Sequence, residues 1–414
     1  MPMIFFYNIA VYITGFVLNI VSLFNKKIAL FVNGRKETFA KLTTEFEGKS
    51  KVIWFHCASL GEFEQGRPII EKCRREIKDS KVLVTFFSPS GYEVRKNYAE
   101  ADAVVYLPLD TKSNAKRFLD IVKPSVAVFV KYEFWPNILK ELENRNIKTL
   151  LVSGIFRENQ PFFKWYGKWI VSSLQSFDHF FVQNDTSKEL LRRLGFTNVT
   201  ISGDTRFDRV YQVTNQKIDL EKIARFKGDT TVLVAGSTWP KDEELLVKFI
   251  NDSPSRKQKY IIAPHNIHAE SIVKLKNSIN KNTLLYSEID SAEPTNFEVL
   301  IIDSIGLLSK IYYYADIAFV GGGFGTGLHN ILEPATFSVP IIIGPDYEKF
   351  NEAKDLVSLK ACLVIRNIEE LNTTLSALFI NKKERTEKGE LSRKYILENI
   401  GATEIIFNHL RLIL

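Results

Sequence analysis

The sequence predicts an α/β protein made of two doubly wound, Rossmann-like domains. Three observations carry that expectation. Short unbroken apolar runs recur along the chain with helical patterns between them, as in parallel strands buried on both faces. At 414 residues the chain is too long for one ordinary core, so two domains are expected. Several apolar runs end in loops rich in glycine and small hydroxyl residues, the place where open α/β sheets bind ligands.

Taken in order, residues 1–24 carry no charged side chain, and Lys26 and Lys27 come directly after. About 20 apolar residues suffice to span a bilayer. A basic leading region and a small-x-small cleavage site are both missing, so a removed signal peptide fits poorly. At helical pitch Asn8, Tyr12, Asn19 and Ser22 share one face. A helix lying in the membrane interface, or packed on its own protein, therefore stays open beside a spanning one. Residues 1–25 are expected to be a membrane anchor, with the lysines placing the first globular domain on the cytoplasmic side.

A basic connector over 26–51 leads into strands at 52–56, 82–87, 104–107, 126–130, 149–152, 179–182 and 199–201. Helices are expected between them, for example at 67–76, 114–122 and 187–194. The first domain is placed at 26–205. The polar segment 204–227 reads as irregular, with a linker at 206–227. A second domain, 228–385, carries strands at 232–235, 260–263, 283–286, 299–302, 317–320, 341–343 and 363–365. A long helical stretch runs from 382 to the end, and 386–414 is a candidate to pack back on the first domain.

Composition narrows the function. The chain is 45% hydrophobic and 25% charged, as globular proteins are. Cys57, Cys73 and Cys362 form no C-x-x-C pair and the six histidines show no H-x-x-x-H spacing. That argues against a disulfide framework or structural zinc and suits a reducing cytosol. A net charge of +7 points to anionic partners: phospholipid head groups or a phosphorylated substrate. Scattered Lys and Arg without a recognised motif argue against nucleic acid.

The densest chemical signal is the stretch from Phe319 to Pro345, where Gly321, Gly322, Gly323, Gly325 and Gly327 come after a strand. Glycines there let a phosphate or sugar approach the backbone, and a helix expected to open near His329 would supply free N–H groups. Glu333, one turn into that helix, can accept two hydrogen bonds from a ribose diol. Gly236, Ser237 and Thr238 lie past another strand and form a second candidate phosphate cradle, and His265 stands at the end of the next. Arg206, at the domain junction, can reach a phosphate bidentately. In the first half, Ser59-Leu60-Gly61-Glu62 opens a helix where a carboxylate can take a proton from an attacking hydroxyl. Ser88 and Ser90 suit polar ligand contact or simple capping, and Glu133 precedes Phe134-Trp135-Pro136 in a loop of cleft-lining character. No Asp-x-Asp occurs, which argues for leaving-group stabilisation by dipoles and side chains rather than a metal.

Together these residues resemble the 3-deoxy-D-manno-octulosonic acid (Kdo) transferases of lipid A assembly. The match runs in order over nearly the whole chain: an apolar N-terminus, H-x-A-S-L-G-E at 56–62, Ser-Gly-Tyr-Glu at 90–93, an E-x-W-P-N-like run at 133–137, Ala-Gly-Ser-Thr at 235–238 and H-N-x-L-E-P at 329–334. The resemblance implies a two-domain GT-B fold with a cleft. It implies inverting, metal-independent transfer, without a cofactor, from CMP-Kdo to a lipid A precursor at the cytoplasmic face of the inner membrane, whose anionic lipids are a further partner. In that reading Glu62 is the base that activates the acceptor hydroxyl, with Ser59, Gly61, Ser88, Ser90 and Glu133 on the acceptor side. Arg206 and the 236–238 loop hold the CMP phosphate, and Asn330 and Glu333 the ribose. His265, Gly322, Gly323, Gly325 and Gly327 complete the donor side. Three departures stand out: Lys131 where many members have an acid, Pro264-His265-Asn266 where Arg-His-Pro is common, and Arg206 where lysine is common. A GT-B enzyme using a UDP-sugar, and a membrane-tethered nucleotide-binding protein without catalysis, are the competing readings.

Overall fold

The computed structural model describes residues 2–46, 50–165, 167–254 and 257–414. It divides into two compact units, one formed by residues 1–209 with 400–414, the other by 210–399.

The first unit holds strands β1 (Lys51–Cys57), β2 (Ser80–Phe86), β3 (Ala103–Tyr106), β4 (Val126–Val130), β5 (Lys148–Gly154), β6 (His179–Val182) and β7 (Val199–Ile201). They form one parallel sheet in the order β3-β2-β1-β4-β5-β6-β7. The order reverses direction between β1 and β4, so the crevice for a ligand opens at their carboxyl ends. Along β1, Val52 and Trp54 enter one core while Ile53, Phe55 and Cys57 enter the other. Both faces of the strand are buried, which is why its sequence reads as one apolar run.

The second unit repeats the plan with β8 (Thr231–Thr238), β9 (Gln258–Pro264), β10 (Thr283–Leu285), β11 (Val299–Ile301), β12 (Ile317–Val320), β13 (Ile341–Ile343) and β14 (Cys362–Val364). Its order is β10-β11-β9-β8-β12-β13-β14, and the reversal falls between β8 and β12. The α/β class, the two doubly wound sheets of the GT-B pattern and an apolar N-terminal helix are all present.

Every expected strand forms at its place, whereas several connections differ. The basic connector contains helices Lys26–Lys36 and Thr38–Glu45. The segment expected to be irregular contains helices Thr205–Thr214 and Glu221–Lys227. The long terminal helix is two, Lys382–Asn399 and Ala402–Ile413, broken where Gly401 takes φ +114°. Asp208 caps the last of these, accepting from the backbone N–H groups of Gly401 (2.6 Å) and Thr403 (2.8 Å). Ile406, Phe407 and Leu410 then bury in the first unit's core.

The N-terminal helix, Pro2–Val21, is long and apolar enough over Met3–Val21 to cross a membrane. One face is tied to the first unit: the Tyr7 hydroxyl donates to Asp110 (2.8 Å) and Asn8 accepts from Asn137 (2.7 Å). The opposite face leaves Phe5, Phe6, Ile13 and Phe16 exposed. Asn8 lies on the docked face as expected of a polar stripe, but Tyr12 is exposed.

Candidate active site

Each switch point gathers the motif residues of its own unit. In the first unit, β1 runs into helix Leu60–Glu76, whose N-cap is Ser59. The Ser59 hydroxyl donates to the Glu62 carboxylate instead of capping the helix backbone. Gly61 is exposed, and a Cβ there would meet only the Ser59 hydroxyl, at 3.8 Å. Among the described residues nothing crowds position 61, so packing does not demand glycine there.

A buried polar chain links the ends of β1, β2 and β4. His56 Nδ1 meets the Thr85 hydroxyl at 2.8 Å, and His56 Nε2 meets Glu133 at 3.2 Å. Parallel pairing of β1 with β2 puts His56 opposite Thr85. Trp54 Nε1–H already donates to Thr85 (2.8 Å) and Trp135 Nε1–H to Glu133 (2.8 Å). One arrangement that satisfies every group has Thr85 O–H donating to Nδ1 and His56 Nε2–H donating to the Glu133 carboxylate. In the other, Nε2 accepts from the Trp135 indole N–H (3.1 Å) and the Thr85 hydroxyl donates to the Phe55 carbonyl (3.4 Å). Glu133 is thus turned inward on His56 and Trp135, as a strut rather than a freely projecting acceptor ligand. The adjoining helix, Pro136–Asn144, starts on Asp110, which accepts from the backbone N–H groups of Asn137 (3.0 Å) and Ile138 (2.9 Å). Burial pushes the Asp110 carboxyl up despite these donors. The Cys57 thiol is pushed well up, first by burial and then by Glu62, Glu133 and Glu64, so three carboxylates converge on that spot.

Cations face them. The Tyr132 hydroxyl accepts from Arg157 (2.9 Å), and burial raises its phenol while Arg157, Glu62 and Arg206 all act on it. Arg206 is ion-paired to Asp204 at 2.8 Å. Burial alone would raise the Asp204 carboxyl, but Arg206 and Lys131 outweigh it and hold it below the usual range. Lys131 sits at the end of β4 with φ +73°, a left-handed conformation costing about 1–3 kcal/mol in a non-glycine residue and concentrated at functional sites. Arg157 and Lys131 were not among the expected site residues; Lys131 directly follows β4, and Arg157 lies three residues past β5. Ser88 and Ser90 spend their hydroxyls locally. The Ser88 hydroxyl accepts from the Ser90 N–H (3.2 Å) and lies 2.9 Å from the Ser90 hydroxyl, which is capping.

In the second unit Gly236, Ser237 and Thr238 are the last residues of β8 rather than a loop. A Cβ on Gly236 would lie 2.0 Å from the Tyr312 hydroxyl, so packing against Tyr312 requires this glycine. Ser237 takes φ +52°, and Thr238 donates to Glu243 (3.0 Å). Trp239 comes next, stacked on His265 at 4.4 Å and 18°. Its indole N–H donates to His329 Nε2 (3.1 Å), and His265 lies 4.6 Å from His329. Burial, then His265, lowers His329 to about 4, so its imidazole is neutral. Asp242 joins the two loops of the switch point: one oxygen accepts from the N–H groups of Trp239 (2.8 Å) and Gly322 (2.9 Å).

The glycine loop divides in two. Gly321, Gly322 and Gly323 are packed against backbone, with Cβ clearances of 2.4, 2.2 and 2.7 Å. Gly325 and Gly327 take φ +104° and +106° beside nearly open space, leaving their backbone accessible. The helix expected near His329 starts only at Leu332 and lasts to Ala335. Pro334 lacks an N–H and Ser338 turns left-handed at φ +60°, so no helix dipole of useful length forms. Backbone and side chains must serve instead. Asn330 donates to Glu333 (3.3 Å), and burial together with Glu333 drives the Tyr312 phenol well up, which locates Glu333 beside it. Trp239, His329, Asp242 and Tyr312 were missed among the expected site residues, although Trp239 follows one quoted motif and His329 opens another.

The family described as "3-Deoxy-D-manno-octulosonic-acid transferase (kdotransferase)" matches residues 33–209. A bifunctional glycosyltransferase/methyltransferase of Fusobacterium nucleatum is 28% identical over 93% of this chain, which spans 61% of that protein. The 3-deoxy-D-manno-octulosonic acid transferase of Aquifex aeolicus is 28% identical, with 80% of this chain and 87% of that protein covered. That of Chlamydia muridarum is 27% identical over 90% and 88%. Among solved structures, UDP-GlcNAc 2-epimerase from Neisseria meningitidis superposes with a TM-score of 0.61 at 13% identity, covering 87% and 99% of the two chains. MurG from Acinetobacter baumannii superposes with a TM-score of 0.54 at 12% identity, covering 88% and 99%. At such identities the structural likeness speaks for the fold alone. The family match over residues 33–209 and these relatives make the chain similar to the Kdo transferases.

Proposed function

We propose that this chain is an inverting, metal-independent glycosyltransferase that moves Kdo from CMP-Kdo to a lipid A precursor. The acceptor hydroxyl oxygen bonds to the anomeric carbon as that carbon's bond to the phosphate oxygen breaks. CMP leaves with the electron pair, and the hydroxyl proton passes to Glu62. Attack from the face opposite the leaving group inverts the anomeric centre. The observation that carries the reading is Glu62 itself: a partly buried carboxylate at the first unit's switch point, oriented by Ser59, in the unit that holds the His56–Glu133 chain. Lys131, Arg157 and Arg206 suit the carboxylate and phosphates of such substrates. In the second unit, Trp239, His265 and the neutral His329 offer a flat wall for a nucleotide, and Asn330 and Glu333 offer partners for its ribose.

The N-terminal helix supports work at a membrane. Because one side of it is held by Asp110 and Asn137, its exposed aromatic face suits a helix lying along the inner membrane's cytoplasmic surface. Incubating the purified full chain with CMP-Kdo and lipid A precursor should yield product heavier by one or more Kdo units. Turnover only with UDP-hexoses would reject the donor.

A further inference from the structure

Helix Lys26–Lys36 carries a guanidinium with no acid to answer it. Arg35 is partly buried and donates only to carbonyls: Leu107 (2.9 Å), Phe31 (2.9 Å) and Phe87 (2.7 Å). Its charge lies over the rings of Phe31 (3.5 Å) and Phe87 (4.8 Å). No carboxylate pairs with it among the described residues. Three of its five N–H groups are used, which leaves two for a ligand. Burial pushes its guanidinium down to about 9, with Tyr106 opposing in part, as for a cation held in surroundings of low polarity.

The same residue lines a cavity of about 200 Å³ between the N-terminal helix, its own helix and the chain after β3. Leu18, Phe31 and Leu109 make the cavity's apolar wall, while Asn19, Arg35 and Lys36 make its polar one. The volume falls below the roughly 300–1,000 Å³ of small-molecule sites, so it suits a head group rather than a whole substrate. Leu18 and Asn19 of its lining lie in the last turn of the apolar helix, a few residues before Lys26 and Lys27.

We infer that this cavity binds the phosphate of an anionic glycerophospholipid, held by Arg35 and Lys36 with the first acyl carbons along Leu18 and Phe31. The inference rests on the membrane reading above and adds a discrete lipid site to it. Charge and shape agree: two cations without acids meet the phosphate, and apolar side chains meet the chain.

The test uses the detergent-purified full chain and native mass spectrometry, titrated with phosphatidylglycerol, phosphatidylcholine or inorganic phosphate. One saturable phosphatidylglycerol is expected, bound at least roughly tenfold tighter than phosphatidylcholine. Lys36→Gln, which removes a cation, and Leu18→Trp, which fills the cavity, should each weaken it roughly tenfold. Lys26→Gln on the exposed connector should not. Arg35 is left intact because its carbonyl bonds hold the fold, and unchanged melting temperatures of the variants confirm folding. Undiminished binding by Leu18→Trp, equal weakening by Lys26→Gln, or phosphate binding as tight as lipid would each overturn the inference. Vesicle flotation separates the readings. Failure of the parent to float sinks the membrane reading and this one, whereas flotation without phosphatidylglycerol preference sinks this one alone.

Discussion

Asp242 should decide whether the second unit's two ligand loops are mechanically one. Its side chain is fully buried, and one oxygen holds the N–H groups of Trp239 and Gly322 at 2.8 and 2.9 Å. A hydrogen bond to a charged acceptor contributes about 1.5–3 kcal/mol, so Asp242→Ala removes about 3–6 kcal/mol gross. Deleting the charge returns part of this, since burial already raises the Asp242 carboxyl. A net loss of about 2–4 kcal/mol is expected. At about 2–4 °C per kcal/mol for a unit of this size, melting followed by calorimetry should fall by roughly 5–15 °C. Asp242→Asn keeps an oxygen acceptor and the volume, and should stay within about 1 kcal/mol of the parent. Isothermal titration with CMP should show weaker binding for Asp242→Ala than for Asp242→Asn. A parent-like melting temperature for Asp242→Ala would refute the reasoning.

The remaining predictions are briefer. His329, lowered to about 4, stays neutral where the unfolded chain takes a proton near pH 6.5. Its stabilising contribution is therefore intact above about pH 6.5 and lost as pH falls toward 4. Its ring resonances, assigned against His329→Gln, should not titrate above about pH 5, and a midpoint near 6.5 would contradict the burial argument. Gly236→Ala sets a Cβ 2.0 Å from the Tyr312 hydroxyl and should cost about 1–3 kcal/mol. Tyr312→Phe in the same chain should recover part of that, since Leu308 also lies 2.9 Å from the added Cβ, and a double variant no better than Gly236→Ala would show that the Tyr312 hydroxyl is not the cause.

The strands were legible because each is an apolar run buried on both faces, as Val126–Val130 is. The switch points were not legible, because they depend on the strand order that only the fold shows. The connections were harder. Helices Thr205–Thr214 and Glu221–Lys227 lie in polar sequence where turn residues masked the pattern, and the break at Gly401 depends on one left-handed residue. Within the site, Glu62 was readable as a carboxylate beside a strand end. The buried polar chain was not, because Glu133 reaches His56 only through parallel pairing of β1 with β4. The glycines answer a second demand as well. Gly321, Gly322 and Gly323 answer backbone crowding within the fold, which a sequence cannot distinguish from room for a ligand.

The most direct measurement is turnover of Glu62→Gln on CMP-Kdo and lipid A precursor, set beside its affinity for CMP. Loss of proton acceptance should lower kcat by at least roughly a hundredfold while CMP affinity stays within about twofold of the parent. A variant that transfers Kdo at the parental rate would contradict the role given to that carboxylate.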